Sequence, residues 1–118
     1  VTSVTYSPEL VPFLDADSLK AGAFAAITDL AAPWIKPQFA VLDQITIDDL
    51  AQEAALPNKL VPPEHVSGDL SGLVLGKFSG RAHDRDRNAF IFRGHALGDL
   101  ALAGLAWQKS LATRPGDR

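Results

Sequence analysis

Apolar and polar positions change their period along this chain, and the changes mark its elements. Val1-Thr2-Ser3-Val4-Thr5-Tyr6 is a β-branched and aromatic run that predicts a strand. A turn-rich connection follows, with Pro8, Pro12, Asp15 and Asp17, where Asp17 or Ser18 is placed to cap a short helical turn. Ala23-Phe24-Ala25-Ala26-Ile27-Thr28 is apolar without alternation, the pattern of a strand covered on both faces in a parallel sheet. Pro33 can start a helix and Pro37 interrupts it, with Phe39, Val41 and Leu42 as its apolar side. Gln44-Ile45-Thr46-Ile47-Asp48 predicts a third strand. Asp48 or Asp49 then caps a helix running through Leu56, with Leu50, Ala51, Ala54 and Ala55 at helical spacing, and Pro57-Asn58 ends it.

The second half changes character. Pro62-Pro63-Glu64 predicts the start of a helix continuing to about Leu75. A polar loop from Arg81 to Asn88 leads to a short strand, Ala89-Phe90-Ile91-Phe92, which Gly94 breaks. From Ala96 or Leu97 to Ala112 the sequence reads as a helix, with Leu97, Leu100, Ala101, Gly104, Leu105 and Leu111 near one face. Arg114-Pro115-Gly116-Asp117-Arg118 reads as a frayed tail. Gly68, Gly72, Gly76 and Gly80 fall at four-residue intervals. Asp69, Lys77 and the shortness of the segment argue against a membrane dimer motif. Instead Gly72 allows close packing, Gly76 ends a helix and Gly80 shapes the loop after it. Strand, connection, strand, helix, strand, helix is the order of an α/β layer structure with parallel strands. About three strands form a narrow sheet with open edges, which predicts missing neighbours and a piece of a longer chain.

Composition narrows the function. With 118 residues, 47 % of them hydrophobic, and a net charge of −3, the chain is long enough for one domain and has no composition of disorder. Its basic residues are scattered, and Asp84 and Asp86 interrupt the cluster of Arg81, Arg85 and Arg87, so a nucleic-acid face is not expected. The absence of cysteine excludes disulfides and thiolate zinc sites and fits a cytoplasmic enzyme. No stretch approaches the roughly 20 apolar residues of a membrane span, so no membrane partner is expected. His65, His83 and His95 are far apart and not at metal-binding spacing, so no metal is expected.

Two blocks carry a family resemblance. In the first, Ser67-Gly68-Asp69-Leu70 leads through an apolar stretch to Gly76-Lys77-Phe78-Ser79-Gly80-Arg81. In the second, Phe90-Ile91-Phe92-Arg93-Gly94 leads to Ala96-Leu97-Gly98-Asp99-Leu100-Ala101. In this order and spacing they resemble the ornithine cyclodeaminase/mu-crystallin family. Leu19-Lys20-Ala21-Gly22 and Ile45-Thr46-Ile47-Asp48-Asp49 fit the same family more loosely. The resemblance covers nearly the whole chain and corresponds to the family's last part. It implies the second half of a Rossmann-type parallel sheet over residues 1–58. Residues 59–118 would then form a helix–strand–helix segment returning to a substrate and dimerisation domain. It also implies an NAD(H)- or NADP(H)-dependent enzyme that acts on an amino or imino acid by hydride transfer, as a homodimer.

The chain holds no Gly-x-Gly-x-x-Gly, the loop that lets a backbone approach the pyrophosphate. The family carries that loop upstream of the part represented here. NAD or NADP is therefore expected in a complete enzyme, with no tight binding and no activity from this chain alone. The resemblance aligns Thr2, Ser3, Val4 and Thr5 with a strand end along the cofactor, and Gly94 with the turn returning the chain to the cleft. It aligns Asp29 with an acid that assists proton transfer or amine binding, although Ile27-Thr28 stand where the cyclodeaminases have a glycine pair. Asp29 could equally cap the turn at Ala31 to Trp34. His95 follows that turn and reads first as a surface or satisfied histidine, and Asp99 suits the first turn of a helix. The alternative function is a non-enzymatic dimerisation or ligand-binding module derived from the family.

Overall fold

Four short parallel strands organise the chain: β1 (Phe24–Ile27), β2 (Gln44–Ile47), β3 (Val66–Asp69) and β4 (Asn88–Ile91). They lie in the order β1-β4-β2-β3. Three α-helices accompany them: α1 (Leu50–Ala55), α2 (Leu70–Val74) and α3 (Ala96–Ala112). The computed structural model describes residues 1–112; the tail expected from Arg114 lies outside them.

The register explains the core. Ala25, Ala89 and Ile45 form one row across the sheet, and Ile27, Ile91 and Ile47 form the next but one. These residues are buried together with Ala16, Trp34, Phe39, Leu42, Leu60 and Val61. The opposite face, where Ala26, Phe90 and Thr46 align, is covered unevenly. Phe24 remains 61 % exposed beside a shallow pocket of about 210 Å³ lined by Leu70, Leu73 and Phe90. The apolar run of β1 is thus sealed on one face rather than both.

Several elements depart from the sequence pattern. The strand expected over Val1–Tyr6 reduces to one parallel bridge between Thr2 and Ile27. The strand expected over Ala89–Phe92 in the C-terminal segment lies instead in the middle of the sheet as β4, between β1 and β2, and β3 is added because the segment read as one helix from Pro62 to Leu75 splits into three pieces. A 3-10 turn at Pro63–His65 leads into β3, and only then does α2 begin. Pairing of β3 along the edge of β2 overrides local helix propensity here. Gly68 lies under the Phe78 ring, where a Cβ would collide with it, and Gly72 lies close to the same ring. Gly76 ends α2 with φ +68°, as its position predicted. Asp15, rather than Asp17 or Ser18, caps the 3-10 turn Ala16–Ser18. Pro37 sits in the first turn of a 3-10 helix, Lys36–Val41, instead of interrupting one.

The charged loop 81–87 is tied to the sheet rather than loose in solvent. Arg81 donates to the carbonyls of Asp84, Asp86 and Ala23. Gly22 (φ +79°) donates to the Arg85 carbonyl and lies so close to Asp84 that a Cβ would meet its carbonyl oxygen at 2.6 Å.

Candidate functional site at the carboxyl edge of the sheet

Because the strands are parallel and Ile27, Ile91, Ile47 and Asp69 lie in one row, the residues just beyond them share one edge. Ligands of open α/β sheets bind outside this carboxyl edge. Thr28 and Asp29 follow β1, Phe92 to Gly94 follow β4, and Asp48 and Asp49 follow β2.

Asp29 is 6 % exposed. Its Oδ2 accepts the Val4 N–H at 3.2 Å, while Oδ1 is buried without a hydrogen-bond partner among the described residues. The carboxylate therefore does not cap the turn after it; that turn closes through the Ala32 N–H and the Asp29 carbonyl at 3.0 Å. Leu30 (φ 57°) and Ala31 (φ 54°) both lie in the left-handed region, which costs an L-residue about 1–2 kcal/mol. A buried acceptor left open costs about 1–3 kcal/mol more. Strain and unmet hydrogen-bonding capacity thus coincide at Asp29.

The Val1–Thr5 segment lies beside β1. Thr2 donates its N–H to Ala26, and its carbonyl accepts both the N–H and the hydroxyl of Thr28. Its Oγ1 accepts the Trp34 indole N–H at 3.2 Å. Thr2 is thereby committed to the fold, and Val4 to Asp29. Ser3 and Thr5 are exposed, and their hydroxyls have no hydrogen-bond partner among the described residues.

The exit from β4 is held from β2 and α1. Asp48 accepts the N–H groups of Arg93 (3.0 Å) and Gly94 (2.9 Å) on one oxygen. Gln52 donates to the Gly94 carbonyl. Gly94 has φ +119°, and a Cβ there would meet nothing within 4 Å, so open space lies above a backbone whose polar groups are already used. Arg93 forks onto Glu53 at 2.7–2.9 Å and reaches the Asn58 carbonyl. Glu53 also accepts the Leu60 N–H. Burial lowers the pKa of nearby Lys36, partly opposed by Glu53.

Asp49 caps α1 by accepting the Gln52 N–H at 2.8 Å, and this bond is the main reason its pKa falls below the usual carboxylate range. His95 lies 3.5 Å away and contributes less. Asp69 caps α2 through Gly72 and reaches the Leu50 N–H. Asp48, Asp49, Asp69, Phe92 and His95 line an open cleft of about 550 Å³ between α2 and the start of α3. Its carboxylates are all engaged with backbone amides. Among the described residues no group of three His, Cys, Asp or Glu could hold a metal ion, and no helix is long and apolar enough to cross a membrane.

Sequence spacing did not mark Glu53, Arg81 or the role of Asp48. Each has a partner far along the chain, 40, 58 and 45 positions away respectively, that no local pattern links to it.

The geometry has a counterpart among solved structures. The crystal structure of a probable ornithine cyclodeaminase from Bordetella pertussis Tohama I superimposes with a TM-score of 0.66 at 23 % identity, over 90 % of this chain and 38 % of that one. The chain has the fold of that protein's C-terminal part. It spans well under half of that relative's length. No protein-family model and no curated protein matches the chain. The four-stranded parallel sheet and the edge where Asp29 lies are therefore features of a fold shared with that probable ornithine cyclodeaminase.

Proposed function

We propose that the chain is the C-terminal portion of an NAD(P)-dependent enzyme of the ornithine cyclodeaminase/alanine dehydrogenase kind, acting on an amino or imino acid by hydride transfer. The observation that carries this reading is Asp29. It is a buried carboxylate at the carboxyl edge, with one oxygen fixed by Val4 and the other open, on a strained turn. When bound, NAD(P) accepts or returns the hydride. Ser3 and Thr5 offer hydroxyls along one side of its path, and the open space above Gly94 admits close approach on another. Thr2 and Val4 act indirectly, Thr2 by tying this segment to β1 and Val4 by holding Asp29 in place. Asp29 Oδ1 then accepts a hydrogen bond or proton from the substrate amine as it becomes an imine.

In this reading residues 1–58 belong to the cofactor half, but β3 and β4 join the same sheet, so only the segment from Arg93 onward leads back toward a substrate and dimerisation domain. The complete enzyme is a homodimer and, lacking cysteine here, suits the cytoplasm. The chain alone supplies one wall of the cofactor site and is inactive. In a longer protein carrying Gly-x-Gly-x-x-Gly ahead of Val1, Asp29→Asn lowers kcat by about 10²–10⁴-fold and leaves NAD(P)H affinity unchanged. Unchanged turnover would remove Asp29 from the chemistry. The exposed apolar stripe of α3 favours the second reading, a non-enzymatic association module; a longer protein that self-associates without any NAD(P)-dependent turnover would establish it.

A further inference from the structure

We infer that residues 6–12 form a flap that closes over Asp29 and gives its pocket an apolar wall, so that the site takes an amino or imino acid with an uncharged aliphatic side chain rather than a diamine. This rests on the reading of Asp29 given above and adds the substrate class to it.

Both ends of this segment are fastened to the turn that carries Asp29. Thr2 pairs in parallel with Ile27, so the chain leaves the sheet at its carboxyl edge, and Val4 then donates its N–H to Asp29 Oδ2 at 3.2 Å. The chain returns where Phe13 and Leu14 both donate to the Pro33 carbonyl at 2.8 Å, and Leu14 bridges to Trp34. Four residue steps separate Asp29 from Pro33, a span of at most about 14 Å, and the Ala32 N–H shortens it by closing a turn onto the Asp29 carbonyl. Nine steps separate Val4 from Phe13, about 30 Å when extended. The excess has to arch outward beyond the sheet edge. Among the described residues, 5–12 make no hydrogen bond to the rest of the chain. Their two bonds are internal: Leu10 N–H to the Ser7 carbonyl at 3.0 Å, and Glu9 N–H to the Ser7 hydroxyl at 3.3 Å.

The arch is apolar where a solvent loop would be polar. Tyr6 is 64 % exposed, Val11 76 % and Phe13 59 %. Large apolar side chains grouped on one exposed segment mark a surface that a ligand covers. Here the ligand is the substrate, because the arch starts and ends on the turn of Asp29, whose Oδ1 is open. Pro8 and Pro12 fix two of the seven φ angles, and the Ser7–Leu10 turn holds the middle, so closing costs little conformational entropy and moves the segment as a unit. Closed, Tyr6 and Val11 meet Leu30 on the strained turn and exclude water from Asp29. The charge pattern sets the substrate. Residues 6–12 carry one charge, Glu9, at the tip of their turn. Asp48, Asp49 and Asp69, the other acids at this edge, are held by backbone amides. A second ammonium on the substrate would lose its water with no free carboxylate to replace it. An aliphatic side chain gains from the same burial.

L-norvaline is L-ornithine without the terminal amine, so the two substrates isolate the effect of that charge. In the longer protein with its glycine loop, kcat/KM for NAD(P)+ reduction is expected to be at least about ten-fold higher with norvaline than with ornithine. Val11→Asp changes an exposed side chain outside the core, so the fold should hold. It is expected to lower kcat/KM for norvaline at least about ten-fold and to leave NAD(P)H affinity within about two-fold. Val11→Ile should stay within about two-fold of wild type, as should Glu9→Gln with either substrate. A preference for ornithine that Glu9→Gln removes would overturn the substrate class. Equal turnover of norvaline by wild type and Val11→Asp would overturn the flap. No NAD(P)-dependent turnover of any amino or imino acid would overturn the underlying reading and this inference with it. That failure is told apart from the other two, in which turnover persists.

Discussion

Ile27, Ile45, Ile47 and Ile91 in the sheet and Leu97, Leu100, Leu102 and Leu111 in α3 are equally apolar, yet the first group is sealed and the second faces water. The difference lies in neighbours, not in residue type. Sheet register stacks the isoleucines in rows beneath Trp34 and Phe39, whose rings pack 6.1 Å apart. Among the described residues no side chain of α3 is buried. Apolar content therefore locates a core only where the topology brings a second layer to it.

The sharpest break of this comparison is Phe39→Ala against Leu102→Ala. The first removes a fully buried ring and is expected to cost about 3–5 kcal/mol in urea unfolding. The second touches no core and should stay within about 0.5 kcal/mol. Next comes the polar seal around the core. Arg93→Ala leaves Glu53 without its guanidinium in a half-closed site and should cost about 2–4 kcal/mol. Adding Glu53→Gln should return part of that loss, since no uncompensated carboxylate then remains. Equal stability of the single and double variants would show that the pair does not act as a unit.

A smaller effect tests the turn at Asp29. Ala31 and Ala25 are both buried, but only Ala31 has a left-handed backbone. Ala31→Gly should cost about 1–2 kcal/mol less than Ala25→Gly, because glycine relieves the strain at one position only. The smallest effect concerns Asp49. Its folded pKa is lowered, chiefly by the Gln52 N–H, so its contribution is present above the ordinary carboxylate pKa of about 4 and is lost as pH falls through the lowered value. Asp49→Asn keeps the cap and removes that titration. Melting curves should then coincide near neutrality and lose part of their acid slope.

Much of the sheet was legible in sequence. The runs Ala23–Thr28, Gln44–Asp48 and Ala89–Phe92 became β1, β2 and β4 with ends shifted by a residue or so, and Asp49 caps α1 as the pattern allowed. β3 was not legible, because Val66-Ser67-Gly68-Asp69 has no strand periodicity and gains its form from pairing with β2 and from Phe78 over Gly68. The opening run overstated itself for the converse reason: it has strand propensity, but only Thr2 bridges to β1. At the candidate site the sequence marked Asp29, while its open oxygen and the left-handed turn beneath it depend on three-dimensional placement. Asp48 and Arg93 stabilise the β4 exit across 45 positions, a distance no local pattern spans.

The most direct test of the central claim, that this chain forms one wall of a cofactor site and not a complete one, is titration of residues 1–118 with NADH and NADPH followed by nicotinamide fluorescence. No saturable binding is expected up to millimolar nucleotide. Saturation at micromolar concentration would contradict the account, because the cofactor would then be held without a glycine loop.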